Sequence, residues 1–243
     1  MHASVTPEPI DLDLLMLAYR SGIFPMSDGR EDPEIFWVEP RLRAILPLEG
    51  FRLSRSLRRT LRRERFRVTC NEAFGAVIAA CAETPRGGDE ASTGSWISRR
   101  IEAAYTELHD KGMAHSIECW SGASLVGGLY GVGFDGVFCG ESMFSRQTDA
   151  SKVALAWLVA AMRHGRFTLL DCQFVTDHLA SLGAKELRQE DYVEALRAAQ
   201  RHSSASAASS PSLPASFSSL SGAAEAAGDS PGNFIAQCLT QTS

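Results

Sequence analysis

No two of the six cysteines form a C-x-x-C pair, no window approaches 18 uninterrupted apolar residues, and the opening MHASVTPEPIDLDLL has neither a basic lead nor an apolar heart. The first absence argues against a disulfide framework or a zinc site. It leaves Cys70, Cys81, Cys119, Cys139, Cys172 and Cys238 as reduced core residues of a cytosolic protein. The other two argue against a membrane span and a secretion signal. No glycine lies between Gly140 and Gly165, so SRQTDASK lacks the glycine-rich approach to a helix that would hold a pyrophosphate. GESMF has Phe144 where a G-x-S-x-G nucleophile turn needs its closing glycine. His109, His115, His164 and His178 show no metal-ligand spacing.

What is present is an ordinary apolar fraction of 44% on 243 residues, enough for one large domain or two modest ones. The charge is unevenly spread. Between Arg52 and Arg67 there are eight arginines and one acid, Glu64, a local charge of +7 in a chain of −5, so the remainder carries −12. An acidic chain with one concentrated basic stripe points to a localised polyanion contact.

The hydrophobic period divides the chain. DLDLLMLAYRSGIFPM reads as a short helix from about Asp11, stopped at Gly22, and EIFWVEPRLRAILPL as two short strands interrupted by Pro40 and Pro47. Residues 1–48 are expected to form a small N-terminal domain. In LSRSLRRTLRRERFRV, Arg55, Arg58, Arg59, Arg62 and Arg63 share one helix face and Leu53, Leu57 and Leu61 the opposite one. Two further helices follow, one capped by Asn71 and one running from Ser98 to Gly112. From His115 the period becomes strand-like, with turns at Ser121-Gly122 and Asp135-Gly136 defining an antiparallel meander. A helix, FTLLDCQF, TDHLASLG, AKELR and EDYVEALRAAQ complete an α+β domain with a mixed sheet over 49–202. In 203–232, 19 of 30 residues are Ser or Ala with three prolines besides, a composition expected to stay flexible, before a C-terminal segment at 233–243.

YRSGIFPM, GSWISRRIEAAYTELHDKGMAHSIECW, LVGGLYGV, FCGESMFSRQTDASK and LLDCQFVTDHLASLGAKEL, in order between about Asp11 and Ala199, resemble the leucyl/phenylalanyl-tRNA–protein transferases. The resemblance implies a small N-terminal domain ahead of a domain like the N-acetyltransferase (GNAT) superfamily. It also implies transfer of Leu or Phe, with Met a further candidate donor, from aminoacyl-tRNA to the α-amine of proteins that begin with Arg or Lys, marking them for degradation through the N-degron (N-end rule) pathway. No metal or cofactor is implied. A cytoplasmic monomer is expected.

An aminoacyl-tRNA is an activated ester, so the catalyst must present a neutral amine, take up its proton and help the ribose oxygen leave. Positioning alone supplies on the order of 7 kcal/mol or more. Asp171 and Gln173, two apart on a strand, share a face, a pattern equally fitting a solvent-facing polar pair. The resemblance places catalysis at Asp171, Gln173 and Glu141. In that reading Asp171 fixes the Gln173 amide, whose carbonyl accepts the amine's hydrogen bond, and Glu141 stabilises the developing ammonium and meets the acceptor's basic first residue. Leu129, Phe138, Met143 and Leu158 match positions lining the donor side-chain pocket, with core packing as the alternative. Tyr19 and Trp96 match aromatics near the terminal adenine, Met26 standing where a third is common. Arg55, Arg58, Arg59, Arg62 and Arg63 are placed for acceptor-stem phosphates, recognised by charge and shape. Their almost acid-free surroundings favour that over a merely solvated face. Two rival readings are a CoA-dependent GNAT-like N-acyltransferase, disfavoured by the missing glycine loop, and a non-catalytic RNA-binding protein.

Overall fold

The computed structural model describes residues 8–83, 95–205 and 212–240. Residues 1–7 of the expected N-terminal domain, 206–211 of the Ser/Ala-rich segment and 241–243 lie outside the described residues. Helix α1 (Leu12–Arg20) starts where the Asp11 carboxylate accepts the N–H groups of Asp13 and Leu14 at 2.8 and 3.0 Å. Strands β1 (Phe24–Met26) and β2 (Phe36–Val38) pair as a two-stranded antiparallel ribbon. They are followed by β3 (Leu42–Ile45), α2 (Arg55–Arg62), β4 (Arg67–Cys70), α3 (Phe74–Ala82) and α4 (Arg99–Asp110). Then come β5 (Ala114–Ser121), β6 (Ser124–Phe134), β7 (Val137–Ser145), α5 (Ala150–His164), β8 (Leu169–Gln173), α6 (Asp177–Ser181), β9 (Lys185–Arg188), α7 (Gln189–Ala205), α8 (Leu213–Ala226) and α9 (Pro231–Cys238).

The α+β architecture with a mixed sheet is present. Seven strands run in the order β4-β5-β6-β7-β8-β3-β9, all antiparallel except β7 against β8. The expected meander is β5–β7, and its second turn uses the left-handed pair Asp135 and Gly136. One apolar cluster gathers α2, α5, α8 and α9, the other α1, α3, α4 and α7, each with its own set of sheet residues. Strand alternation sends Leu129 and Phe138 to the first cluster and their neighbours Tyr130 and Cys139 to the second.

The structure corrects four expectations. Strand β3, assigned to a separate unit ending at residue 48, lies between β8 and β9 in the main sheet, and α1 buries Leu15, Met16 and Tyr19 in the cluster that holds Tyr130 and Cys139. A four-residue strand is completed by neighbours that the chain supplies much later, Asp171 and Gln173 of β8 and Lys185–Arg188 of β9, which local pattern does not reveal. Strand β4, read as the tail of the arginine helix, pairs with β5 at the sheet edge. Asn71 does not cap α3: it takes a left-handed φ of 62° and accepts the Ser116 N–H, while Glu118 Oε1 accepts the Ala73 N–H at 3.4 Å. Residues 213–226 are helical, and α8 packs on α5 with the Phe217 ring 5.1 Å from Trp157. Leu213, Phe217, Leu220 and Ala224 form a buried stripe at spacings four, three and four, a helical period that average composition conceals.

Two glycines of LVGGLYGV set how closely the layers approach. A Cβ on Gly127 would lie 2.5 Å from the Ala150 Cβ, so bare backbone lets the first turn of α5 rest on β6. At Gly131 a Cβ would meet the Cys139 carbonyl oxygen at 2.2 Å and the Phe138 ring at 2.5 Å. Gly131→Ala is therefore expected to cost about 1–3 kcal/mol through overpacking. Urea unfolding measures it, and a midpoint equal to the parent's would refute the close approach.

Candidate active site

Strands β7 and β8 run parallel for three paired positions, Val137–Leu169, Phe138–Leu170 and Cys139–Asp171. Beyond Cys139 and Asp171 that pairing stops although both strands continue. A cavity of about 690 Å³ opens at that divergence, lined by Gly140–Ser145 from β7 and by Leu170, Cys172, Gln173 and Phe174 at the end of β8. It lies at the carboxyl ends of a parallel pair, where α/β sheets generally receive ligands.

Glu141 enters this cavity from β7 and is only 8% exposed. Its Oε2 accepts the Tyr105 hydroxyl at 3.0 Å. With that proton committed, the Tyr19 hydroxyl donates in turn to Tyr105. Tyr105 stands on the inner face of α4 beside Ile101, Ala104 and Leu108, and Tyr19 on the inner face of α1. The carboxylate is thus held by a two-phenol chain from two helices.

Asp171 is fully buried and does not line the cavity. Its two oxygens accept Arg43 Nε at 2.8 Å and Nη2 at 2.6 Å, Oδ2 also accepts the Tyr192 hydroxyl at 2.9 Å, and Oδ1 accepts the Gln173 main-chain N–H at 2.9 Å. Asp171 therefore orients Gln173 through its backbone, and the expected bond to the side-chain amide is absent. The expected common face is also absent. Gln173 has φ +61°, in the left-handed region, and this break in the pleat swings its side chain into the cavity that Leu170 and Cys172 line.

Among the described residues, five buried side-chain polar atoms lack a hydrogen-bond partner, and four of them belong to residues lining this cavity: Tyr130 Oη, Glu141 Oε1, Gln173 Nε2 and His178 Nε2. Gln173 comes near enough to Glu141 to favour its charge but closes no hydrogen bond with it. An unmade hydrogen bond on a buried group costs about 1–3 kcal/mol. Four such groups, on residues around one hollow, leave hydrogen-bonding capacity unused beside it.

The other expected site residues divide. Leu129, Met143 and Leu158 line the cavity, making an apolar wall with Leu155. Phe138 does not: it is 0% exposed in the core cluster, paired with Leu170 on the stretch of β7 that precedes the divergence where the cavity opens. Trp96 is at the cavity with Met26. Tyr19 is 1% exposed with its hydroxyl bound to Tyr105, so its ring offers no face for stacking. Arg55, Arg58, Arg59, Arg62 and Arg63 are all exposed, while Leu57 and Leu61 anchor α2 in the core. Among the described residues none of these five arginines forms an ion pair. Thr60 donates to Asp149 at the start of α5 at 3.3 Å. From that helix Ser151, Leu155 and Leu158 reach the cavity.

A family model described as leucyl/phenylalanyl-tRNA protein transferase matches residues 45–197, and one for the N-terminal domain of that family matches residues 8–41. The chain belongs to the leucyl/phenylalanyl-tRNA–protein transferase family. It is accordingly an aminoacyltransferase. The leucyl/phenylalanyl-tRNA–protein transferase of Novosphingobium aromaticivorans is 57% identical over 98% of this chain and 99% of its own. That of Rhizorhabdus wittichii is 58% identical over 77% and 74%. Among solved structures, a functionally unknown conserved protein of Staphylococcus epidermidis is similar at TM-score 0.39 and 10% identity over 74% of this chain and 66% of that one, too distant to bear on the fold. Among the described residues no helix is long and apolar enough to cross a membrane, and no group of three or more His, Cys, Asp or Glu is placed to hold a metal.

In this transferase the sequence reading missed Arg43, Tyr105, Tyr130, Tyr192 and His178. Arg43 left a signal, a single charge between Leu42 and Ala44-Ile45 in a strand. Tyr105 left another, a polar-tipped ring on the apolar stripe of α4.

Burial pushes Glu141 up to about 7, and the charge of Asp171 adds to the rise; the nearby polar groups of Tyr19, Gln173 and Tyr105 pull the other way. A carboxyl whose folded value exceeds its unfolded one favours the fold when protonated. That contribution is full below the ordinary value of 4.5 and is lost as pH rises through about 7. Across that interval the parent should lose about 3 kcal/mol relative to Glu141→Gln, which has no proton to give up. Urea unfolding of both proteins at pH 4 and pH 8 reads the difference, and a pH-independent gap would contradict the buried, elevated carboxyl.

Proposed function

We propose that this chain transfers Leu or Phe, and with them Met, from aminoacyl-tRNA to the N-terminal α-amine of polypeptides beginning with Arg or Lys, so marking them for degradation through the N-degron pathway. The observation that carries the reading is one cavity holding both an apolar wall of Leu129, Met143 and Leu158 and a buried carboxyl, Glu141, poised near 7. The wall suits a Leu or Phe side chain, and the unbranched thioether of Met143 adapts to either. An α-ammonium ionises at roughly 7.7–8.0, so a carboxylate near 7 is matched to take its proton at neutral pH.

In this mechanism the Glu141 carboxylate meets the cationic end of the arriving acceptor and then receives the first proton from its α-ammonium. Gln173, held through its backbone by Asp171, orients the attacking amine with its amide carbonyl. Its unpartnered Nε2 donates to the ester oxygen on which negative charge develops, a contact whose loss typically costs about 3 kcal/mol of barrier. Asp171 acts through Gln173 as a positioning residue. Trp96 offers the stacking face for the terminal adenine, and stacking contributes about 1–3 kcal/mol per base. The acceptor stem lies along the arginine face of α2. The reaction draws on no cofactor, and the protein works as a monomer in the cytoplasm, where charged tRNA is at hand. The antiparallel run β4–β7, continued through α5 into a strand parallel to β7, supports a GNAT-like reading of the sheet.

Incubation with leucyl- or phenylalanyl-tRNA and a peptide starting with Arg or Lys should raise the peptide mass by one Leu or Phe residue, in the absence of acetyl-CoA. An unchanged mass contradicts the proposal. With Arg55 and Arg59 both changed to Glu, the KM for tRNA should rise tenfold or more and its salt dependence flatten, since each phosphate contact contributes to the salt slope. An unaltered KM would remove the arginine face from the account. Leu129→Phe should lower Phe transfer more than Leu transfer, and equal rates for both donors would reassign Leu129 to the core.

A further inference from the structure

The transfer moves two protons, and Glu141 accounts for one. The acceptor arrives as an ammonium and gives its first proton to Glu141. The nitrogen becomes cationic again when it bonds to the ester carbon, and this second proton must leave it while the ribose 3′ oxygen, departing with the electrons of the broken C–O bond, must gain one. We propose that His178 is the shuttle: its Nε2 takes the second proton from the newly bonded nitrogen and delivers it to the ribose oxygen. The inference rests on the donor and acceptor assigned above. The balance closes within the active site, since one N–C bond forms, one C–O bond breaks, one proton stays on Glu141 and the other passes through the imidazole to the ribose hydroxyl.

Four observations support this role. His178 lines the same cavity as Glu141 and Gln173, carried there by the segment that leaves β8 at Gln173 and enters α6. Its Nε2 is buried and has no partner among the described residues. Three other histidines are engaged elsewhere and do not line the cavity: His109 bonds the Ala114 carbonyl and stacks on Phe74, His115 meets Asn71, and His164 meets Ser219. Burial and the nearby Lys152 ammonium of α5 hold the His178 imidazole below its ordinary range, so it starts neutral and able to accept.

The alternatives in the cavity are chemically unsuited. Tyr130 is driven well above its ordinary value by burial, with Tyr105 and Glu141 adding to the rise, so its phenol donates a hydrogen bond without releasing a proton. The Gln173 amide does not ionise. An imidazole is the side chain that serves first as base and then as acid within one turnover.

His178→Gln and His178→Ala separate this role from packing. Both are expected to lower turnover at saturating charged tRNA by about 10²–10⁴-fold while the KM for tRNA stays within about threefold of the parent. Added imidazole should restore part of the turnover of His178→Ala, whose vacated space admits it, and none of that of His178→Gln. Turnover within about threefold of the parent in both variants overturns the shuttle, as does a defect confined to KM or a loss in His178→Ala that imidazole leaves unrelieved. A parent that transfers nothing sinks the assigned reaction and the shuttle with it. An active parent beside equally active variants sinks the shuttle alone.

Discussion

The buried ion pair between Arg43 and Asp171 joins the parts of this molecule that sequence keeps far apart. Arg43 belongs to β3 and Asp171 to β8, and neither is measurably in contact with solvent. The guanidinium is sandwiched between the rings of Phe24 and Tyr192, each 4.6 Å from its centre, and donates also to the Gly22 carbonyl. One residue thus ties the N-terminal segment, the main sheet and α7 together. Taking two charges out of water is unfavourable, and the geometry offsets it by leaving neither carboxylate oxygen idle. Removing one partner of such a pair costs about 3–5 kcal/mol, because the other charge is stranded. The pair also has a directional consequence: it pins the strand end that presents Gln173 in a left-handed conformation, which few residues other than glycine take readily.

From that fixed point the site follows as a pattern of bonds not made. Asp171 is saturated, by Arg43, Tyr192 and the Gln173 backbone, and stands outside the cavity. Glu141, two residues past the partner of Asp171 on the adjacent strand, is left with one oxygen satisfied through Tyr105 and Tyr19 and the other bare. The contrast between two carboxylates on adjacent strands is the chemical content of the site. One is neutralised by a cation and serves architecture; the other, denied a cation, is raised by burial to the range where it exchanges a proton at neutral pH. Their environments, and not their residue type, separate the roles.

The chain order of helices and strands was legible because period and turn chemistry act locally: the meander, its Asp135-Gly136 turn, the Ser98 cap and the arginine–leucine division of α2 all came from spacings of a few residues. The sheet order was not, since β3 and β4 pair with strands whose partnership depends on closure of the whole fold. The motif resemblance pointed to residues on the two strands that diverge at the cavity, and position relative to that divergence separates those that line it from those that do not. Alternation itself failed at Gln173, where a positive φ overrides the period of two. Composition misled at α8, whose four-residue apolar stripe is diluted by serine and alanine. Tyr19 and Phe138 were misplaced for one reason: a residue characteristic of a site can sit behind it, and a sequence position does not tell lining from support.

An acidic chain that takes a polyanion beside a carboxylate must keep the two charges apart. Segregation serves the reaction only if the basic surface is rigidly related to the reacting groups, and α5 provides that relation. One side of α5 carries Ser151, Leu155 and Leu158 to the cavity, while Val153 and Trp157 face the region next to α2. Helix α2 is anchored by Leu57 and Leu61 and by the Thr60–Asp149 contact at the start of α5. The bare approach at Gly127 in turn seats that first turn on β6. Phosphates bound along the arginines would therefore be referenced to the cavity through a single buried helix. In a reaction whose energy arrives in the donor ester, such fixed geometry is the main thing a protein can add.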